Sequence, residues 1–251
     1  MSLYLVNPFL SASNTANISL DELKAYYTFG DSGDQLNHAS AVGSTDAIAS
    51  STIELFGNTT SGASGHVSGV DSIDFPNYDV HGNYATSSNP ASDYDFMVTD
   101  DSNTIWTACF WMRNTGFTAP IYQTADIWGF TGNGSSNDIQ FRYKNNDRFT
   151  IWFAGNEYTG FTLTMTDNDW HFYMVSWDEP NGTIRFSIDN VMETSTGITT
   201  SNTSSPPDAL RFGDVSGNEF EGQIQLFILY NRILTTDEIT ALWNGGAGAV
   251  L

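Results

Sequence analysis

Residues 138–154, DIQFRYKNNDRFTIWFA, place an indole among cations. Two alternating runs around Asn-Asn-Asp predict a β-hairpin. In that register Phe141, Tyr143, Phe149, Ile151 and Phe153 share one face. Gln140, Arg142, Lys144, Thr150 and Trp152 share the other. A Trp on the polar face is either covered by a loop or subunit, or used as a platform for the apolar face of a sugar ring. Arg142, Lys144 and Arg148 are three of only eight basic residues in the chain, so a sulfated or uronic sugar would suit them. If they do not serve a ligand, they pair with charges across the strands. Trp128 and Tyr158 are further candidate platforms.

Asp31 and Asp34, in FGDSGDQLN, put carboxylates into a tight loop with Asn37 close by. They are candidate Ca²⁺ ligands, since that ion takes six to eight oxygens. The same loop also reads as a turn capped by its own Asp side chains. Asp71, Asp74 and Asp79 form a second acidic stretch. Evidence for catalysis is absent from the pattern. No Glu begins a Glu-x-Asp-x-x-Glu run, the strand pattern that places nucleophile and acid on one face for glycoside cleavage. The histidines His38, His66, His81 and His171 are scattered, without metal-ligand spacing. No nucleophile elbow or phosphate loop is present. The chain reads as a non-enzyme.

The formal net charge is −21 across 251 residues, with 15% charged residues. Such a surface disfavours nucleic acid and anionic membranes. It suits either bound cations or a salty medium. The lone Cys109, in IWTACFW, forms no internal disulfide and reads as a small buried apolar residue. Residues 1–18 carry no charged side chain and lack the basic region and long apolar stretch of a signal peptide. They are expected to be an arm that contacts a partner or a second copy. No segment has the roughly 18 apolar residues of a membrane span.

Strand signals dominate from Thr104 onward: TIWTACFWMR, IYQ, IWGF, the hairpin, WHFYMVSW, TIRFSID, ALRFG and GQIQLFILYN. Many short strands with turn signals between them predict an all-β antiparallel sandwich. Residues 31–92 are expected to be mostly long loops with brief strands. Ser19 followed by Glu22 predicts one helical turn near the N-terminus. Near the other end, Thr235 and Glu238 form a capping-box pair, Ile239, Leu242 and Trp243 supply an apolar face, and Gly245 and Gly246 end the helix.

The ending GQIQLFILYNRILTTDEITALWNGG resembles the last segment of laminin G-like domains of the concanavalin A-like lectin/glucanase superfamily. The matching positions are Gly222, Ile224, Tyr230, Asn231, Arg232, Leu234, Thr235, Glu238 and Ile239. Trp170, His171, Asp189 and Asn190, the strand TIWTACFWMR and the opening AYYTFGDSGD agree in order. The resemblance spans roughly residues 20 to 246. It departs at Gln225, where the family has an acidic residue.

The resemblance implies a two-sheet jelly roll over residues 19–246, with the helix over one end and 247–251 as a tail. It raises the expectation of Ca²⁺ at the loop rim. The function expected is a carbohydrate-binding or adhesion module. The N-terminal arm and single sandwich are similar to surface proteins of tailed-phage virions, capsid decorations or fibres. In that setting the partners would be host glycans and neighbouring virion subunits, and the protein a homo-oligomer. A secreted or cell-surface lectin-like domain is the alternative, and a polysaccharide-degrading enzyme a further one.

Overall fold

Alternating apolar side chains along the chain have two partners to bury against, and they build two sheets. The computed structural model describes residues 18–29, 37–48, 52–76, 82–97, 103–115, 124–130, 139–144, 148–153, 156–164, 167–199, 209–215 and 217–251.

The first sheet contains β1 (Leu23–Tyr27), β3 (Thr60–Ser64), β4 (Asp71–Phe75), β6 (Ile105–Asn114), β11 (His171–Asp178), β12 (Thr183–Ile188), β13 (Val191–Ser195) and β15 (Gly222–Tyr230). Its order is β13-β12-β11-β6-β15-β4-β3, with β1 also paired to β15. The second sheet contains β2 (Ile53–Phe56), β5 (Tyr84–Ser87), β7 (Ala125–Phe130), β8 (Ile139–Lys144), β9 (Arg148–Phe153), β10 (Asn156–Tyr158) and β14 (Leu210–Gly213). Its order is β10-β9-β8-β7-β14-β5-β2. Every pairing between these strands is antiparallel. This is the expected jelly-roll sandwich.

Inward positions follow the two-residue period. From β6 come Trp106, Ala108, Phe110 and Met112, and from β11 Tyr173, Val175 and Trp177, all buried. Phe141 and Phe149 meet them from the second sheet. Phe110 stacks on Tyr173 at 5.4 Å, and Trp128 meets Phe227 edge-on at 5.4 Å. Such aromatic geometries add to the area they bury.

The other face of the first sheet is apolar too, and here the expectations need correction. Cys109, Trp111, Phe172, Met174, Leu226 and Ile228 form a second core there. A β-bulge between Gln225 and Ile228, with Leu226 at φ 52°, turns Leu226 into that core. Helix α1 (Thr236–Trp243) covers it with Ile239 and Leu242, each 1% exposed. The helix therefore roofs a sheet face and does not plug an end of the sandwich. Its N-terminal cap is as predicted, while its C-cap is Asn244 and not the expected Gly245 or Gly246. The Thr235 side chain accepts from Glu238 N, Glu238 accepts from Thr235 N, and Asn244 closes the helix in the left-handed region. Residues 247–251, expected as a tail, pack on the roof. Ala249 is buried, and Leu251 N donates to Tyr26 Oη at 3.3 Å. Gly248, at φ 72°, passes so close to Val67 and Trp111 that a Cβ would lie 2.4 Å from Val67 Cγ2.

The Ser19 segment is a turn, not a helical turn. Leu23 N donates to Leu20 O, Ser19 Oγ accepts from Asp21 N, and Glu22 N donates to Asp46 instead of to Ser19. Glu22 at φ 59° leaves helical geometry at once. Within the stretch expected to be mostly loop lie β2, β3, β4 and β5.

Candidate functional site

The β8–β9 hairpin has the predicted register. Lys144 pairs with Arg148, Arg142 with Thr150 and Gln140 with Trp152. Phe141, Tyr143, Phe149 and Ile151 are buried inward. Trp152 is half-buried on the outer face of the second sheet, and its ring lies 5.2 Å from the Arg142 guanidinium. A stacked guanidinium holds the indole in one orientation.

The cations of that face are largely neutralised. Arg142 Nε donates to Asp126 Oδ1 at 2.8 Å, and Asp126 is fully buried. Lys144 pairs with Glu157, which also accepts from Thr150 Oγ1 at 3.2 Å. Arg148 is exposed. Trp152, Arg142 and Lys144 are thus brought together, but as an indole in a charge-balanced surface and not as a basic patch. Tyr158 is half-buried on the edge strand β10, opposite Ile151, and it packs against the main core. Burial raises its hydroxyl pKa. Trp128 is wholly buried between the sheets. A bulge between Asp126 and Trp128 leaves both Ile127 and Trp128 in the core. Trp128 therefore has no face for a sugar, and that expectation is corrected.

Asp31, Asp34 and Asp79 lie outside the described residues. Asn37 is occupied. Its Oδ1 accepts from Tyr26 N at 2.9 Å and Ala39 N at 3.1 Å, while Nδ2 donates to Lys24 O and Ile48 O. Both lone pairs and both protons of its amide are used, so Asn37 staples β1 to the following loop and is not a side-chain cation ligand. Asp74 accepts from Gln223, which in turn accepts from Arg113. Among the described residues, no group of three or more His, Cys, Asp or Glu could hold a metal.

His171 sits between two carboxylates, with Nδ1 2.5 Å from Asp189 Oδ2 and Nε2 2.8 Å from Asp167 Oδ1. The hydrogen bond it donates to Asp189, and then that to Asp167, outweigh burial and push its pKa up to about 9. Asp189 and Asn190, at φ 49° and 66°, form the two-residue turn of the β12–β13 hairpin. Asp189 Oδ1 also accepts from Phe172 N. The cluster is a clasp, with its imidazole held protonated and committed on both sides. Cys109 is fully buried, and burial raises its thiol pKa.

A cleft beside the start of α1 is lined by Asp21, Arg232, Thr235, Asp237 and Glu238 among others. Arg232 is spent on a two-pronged pair with Glu238 and on the carbonyls of Ser19 and Asp21. Among the described residues, no aromatic ring lines this cleft.

One feature escaped the sequence reading. On β2, β5 and β14, Phe56 stacks on Tyr84 at 4.6 Å, and the Arg211 guanidinium lies 4.3 Å from the Tyr84 ring. Phe56 is 37% exposed. Each residue is on a four-residue strand, and no local motif links them.

No curated protein matches the chain in sequence. Among solved structures, the binding domain of botulinum neurotoxin DC in complex with rat synaptotagmin II superposes with a TM-score of 0.66 at 11% identity, over 89% of this chain and 51% of that one. The structure described as "Cell entry of botulinum neurotoxin type C is dependent upon interaction with two ganglioside molecules" gives 0.67 at 11%, over 89% and 51%. This chain thus spans about half the length of those neurotoxin domains. Domain 4 of AbnA, a GH43 extracellular arabinanase from Geobacillus stearothermophilus in complex with arabinotriose, gives 0.58 at 15%, over 87% of this chain and 97% of that one. These likenesses share the sandwich. A sequence profile, Laminin G 3, described as the concanavalin A-like lectin/glucanases superfamily, matches residues 82–240. More than half of the chain lies within that match, and the two sheets it spans are in place: the chain belongs to the concanavalin A-like lectin/glucanases superfamily, as a laminin G-like domain.

Proposed function

We propose that this chain is a non-catalytic carbohydrate-binding module that reads sugars with the outer face of the second sheet, around Trp152. The observation that carries the reading is a half-buried indole, held by Arg142, with the polar side chains of Lys144, Thr150 and Glu157 on the same face. That is the composition a sugar requires: one flat apolar surface with hydrogen-bonding groups beside it. The fold supports it, since a domain of similar structure has been solved with arabinotriose. Absence of a Glu-x-Asp-x-x-Glu strand pattern favours binding over cleavage.

The setting we propose is the outside of a phage particle, as a capsid decoration or fibre. Residues 1–18 would attach to neighbouring subunits, in a homo-oligomer, and host glycans would meet the sandwich. The uncharged arm and the net charge of −21 support this placement. Mass spectrometry of purified particles from the source tests it, and absence of the chain from them rejects it.

The binding reading is tested on a glycan array with two variants. Trp152→Ala should abolish retention while changing stability by less than about 1 kcal/mol. Trp128→Ala should instead destabilise by about 3–5 kcal/mol, as expected for a core indole. Unchanged glycan retention by Trp152→Ala rejects the site.

A further inference from the structure

The outer face of the second sheet carries one transverse row that crosses all seven strands. Successive register partners are Glu157, Trp152, Gln140, Gly129, Arg211, Thr86 and Glu54. Trp152 and Arg211 are three strand spacings apart, about 14 Å. Between them Gly129 has no side chain, and none fits: a Cβ there would lie 2.3 Å from Ile139 O. Gly129 and Gln140 are themselves buried, so the solvent-facing groups of this part of the row are an indole on one side and a guanidinium on the other.

The cations of this face differ in kind. Arg142 is neutralised by buried Asp126. Arg211 has no carboxylate within ion-pair distance among the described residues. It stacks on Tyr84, with exposed Phe56 against the far side of that stack, and Nη1 donates only a long 3.4 Å bond to Asp214 O. On a chain with net charge −21, a half-exposed guanidinium without a carboxylate partner is unusual. Its planar donors match a carboxylate or sulfate. Glu157 and Glu54 close the two ends of the row, so an anion is favoured only at Arg211.

We propose that this row takes an acidic oligosaccharide, with a sugar ring on Trp152 and a carboxylate or sulfate on Arg211 some two or three residues along. The proposal rests on the sugar-binding reading above and names its ligand class.

Calorimetric titration with matched acidic and neutral sugars tests this: oligogalacturonate against its methyl ester, sialyllactose against lactose, and a heparin tetrasaccharide against its desulfated, carboxyl-reduced form. At least one acidic member should bind about tenfold more tightly than its neutral match, and which pair responds separates carboxylate from sulfate. Arg211→Gln should remove that difference and leave the neutral member unchanged, while Arg211→Lys should keep much of it. Glu54→Lys changes an exposed residue of the row and should increase the acid preference. Wild-type protein that binds each pair equally, or an acid preference that survives Arg211→Gln in a folded variant, overturns the proposal while the sugar reading stands. If wild-type protein binds none of these sugars at millimolar concentration, both readings fall.

Discussion

Gln225 accepts from the backbone N–H of Val67 at 2.9 Å and donates to the carbonyl of the same residue at 3.1 Å. Its Oε1 also accepts from His66 N, and its Nε2 also donates to Val70 O. Two donors and two acceptors of one turn are satisfied by one side-chain amide, itself fully buried. This accounts for the family's acidic residue being absent here, because a carboxylate could take the two N–H groups but would face two carbonyl oxygens.

Gln225→Glu should therefore destabilise the protein by about 2–3 kcal/mol at pH 7.5. The introduced carboxyl would have a folded-state pKa above its unfolded value, since only its protonated form can donate to Val67 or Val70. The deficit relative to wild type should shrink at pH 5. Urea melts at both pH values check this, and an equal deficit at each would show that the carbonyls do not control the site.

His171 makes stability fall on the alkaline side. Its folded-state pKa of about 9 lies above the ordinary 6.5, so the clasp contributes fully below pH 6.5 and is lost as pH rises through about 9. With the ring partly solvated, the contribution is about 1–2 kcal/mol. Thermal melts of wild type should decline across that window, whereas His171→Gln should start lower and decline less. Parallel curves would refute the assignment.

Glu238 acts at the opposite extreme. Burial would raise its pKa, but Arg232 and the N–H and hydroxyl of Thr235 outweigh burial and hold it at about 2. Its contribution is present above the ordinary carboxylate value near 4.5 and is lost as pH falls through about 2. Glu238→Ala removes the side-chain half of the capping box and leaves Arg232 without its carboxylate, at a loss of about 2–4 kcal/mol at neutral pH. Differential scanning calorimetry between pH 2 and 7 measures it, with convergence of the two proteins expected at the acid end.

Legibility in the sequence followed the range of the interactions. The β8–β9 hairpin and the cap of α1 are settled by neighbours a few residues apart, and both were readable. The strands β2, β4 and β5 are short and find partners far along the chain, such as β4 on β15, so their Gly-, Ser- and Asn-rich segments looked like loops. Ser19 and Glu22 have capping-box spacing, yet Asp46 takes the Glu22 N–H and the segment turns. Two-residue periodicity does not register a bulge, which is how Ile127 and Trp128 come to share the interior. The carboxylates that silence Arg142 and Lys144 come from β7 and β10. Arg211, Tyr84 and Phe56 meet only after three separated strands align.

The roof over the first sheet gives the molecule a front and a back. Ile18 and Leu251 both pack into that roofing layer, so the described chain enters and leaves on one side of the sandwich. The strands bearing Trp152 and Arg211 look out from the opposite side. Attachment through residue 18 or residue 251 would hold the protein by its back and leave the face of Trp152 and Arg211 pointing outward.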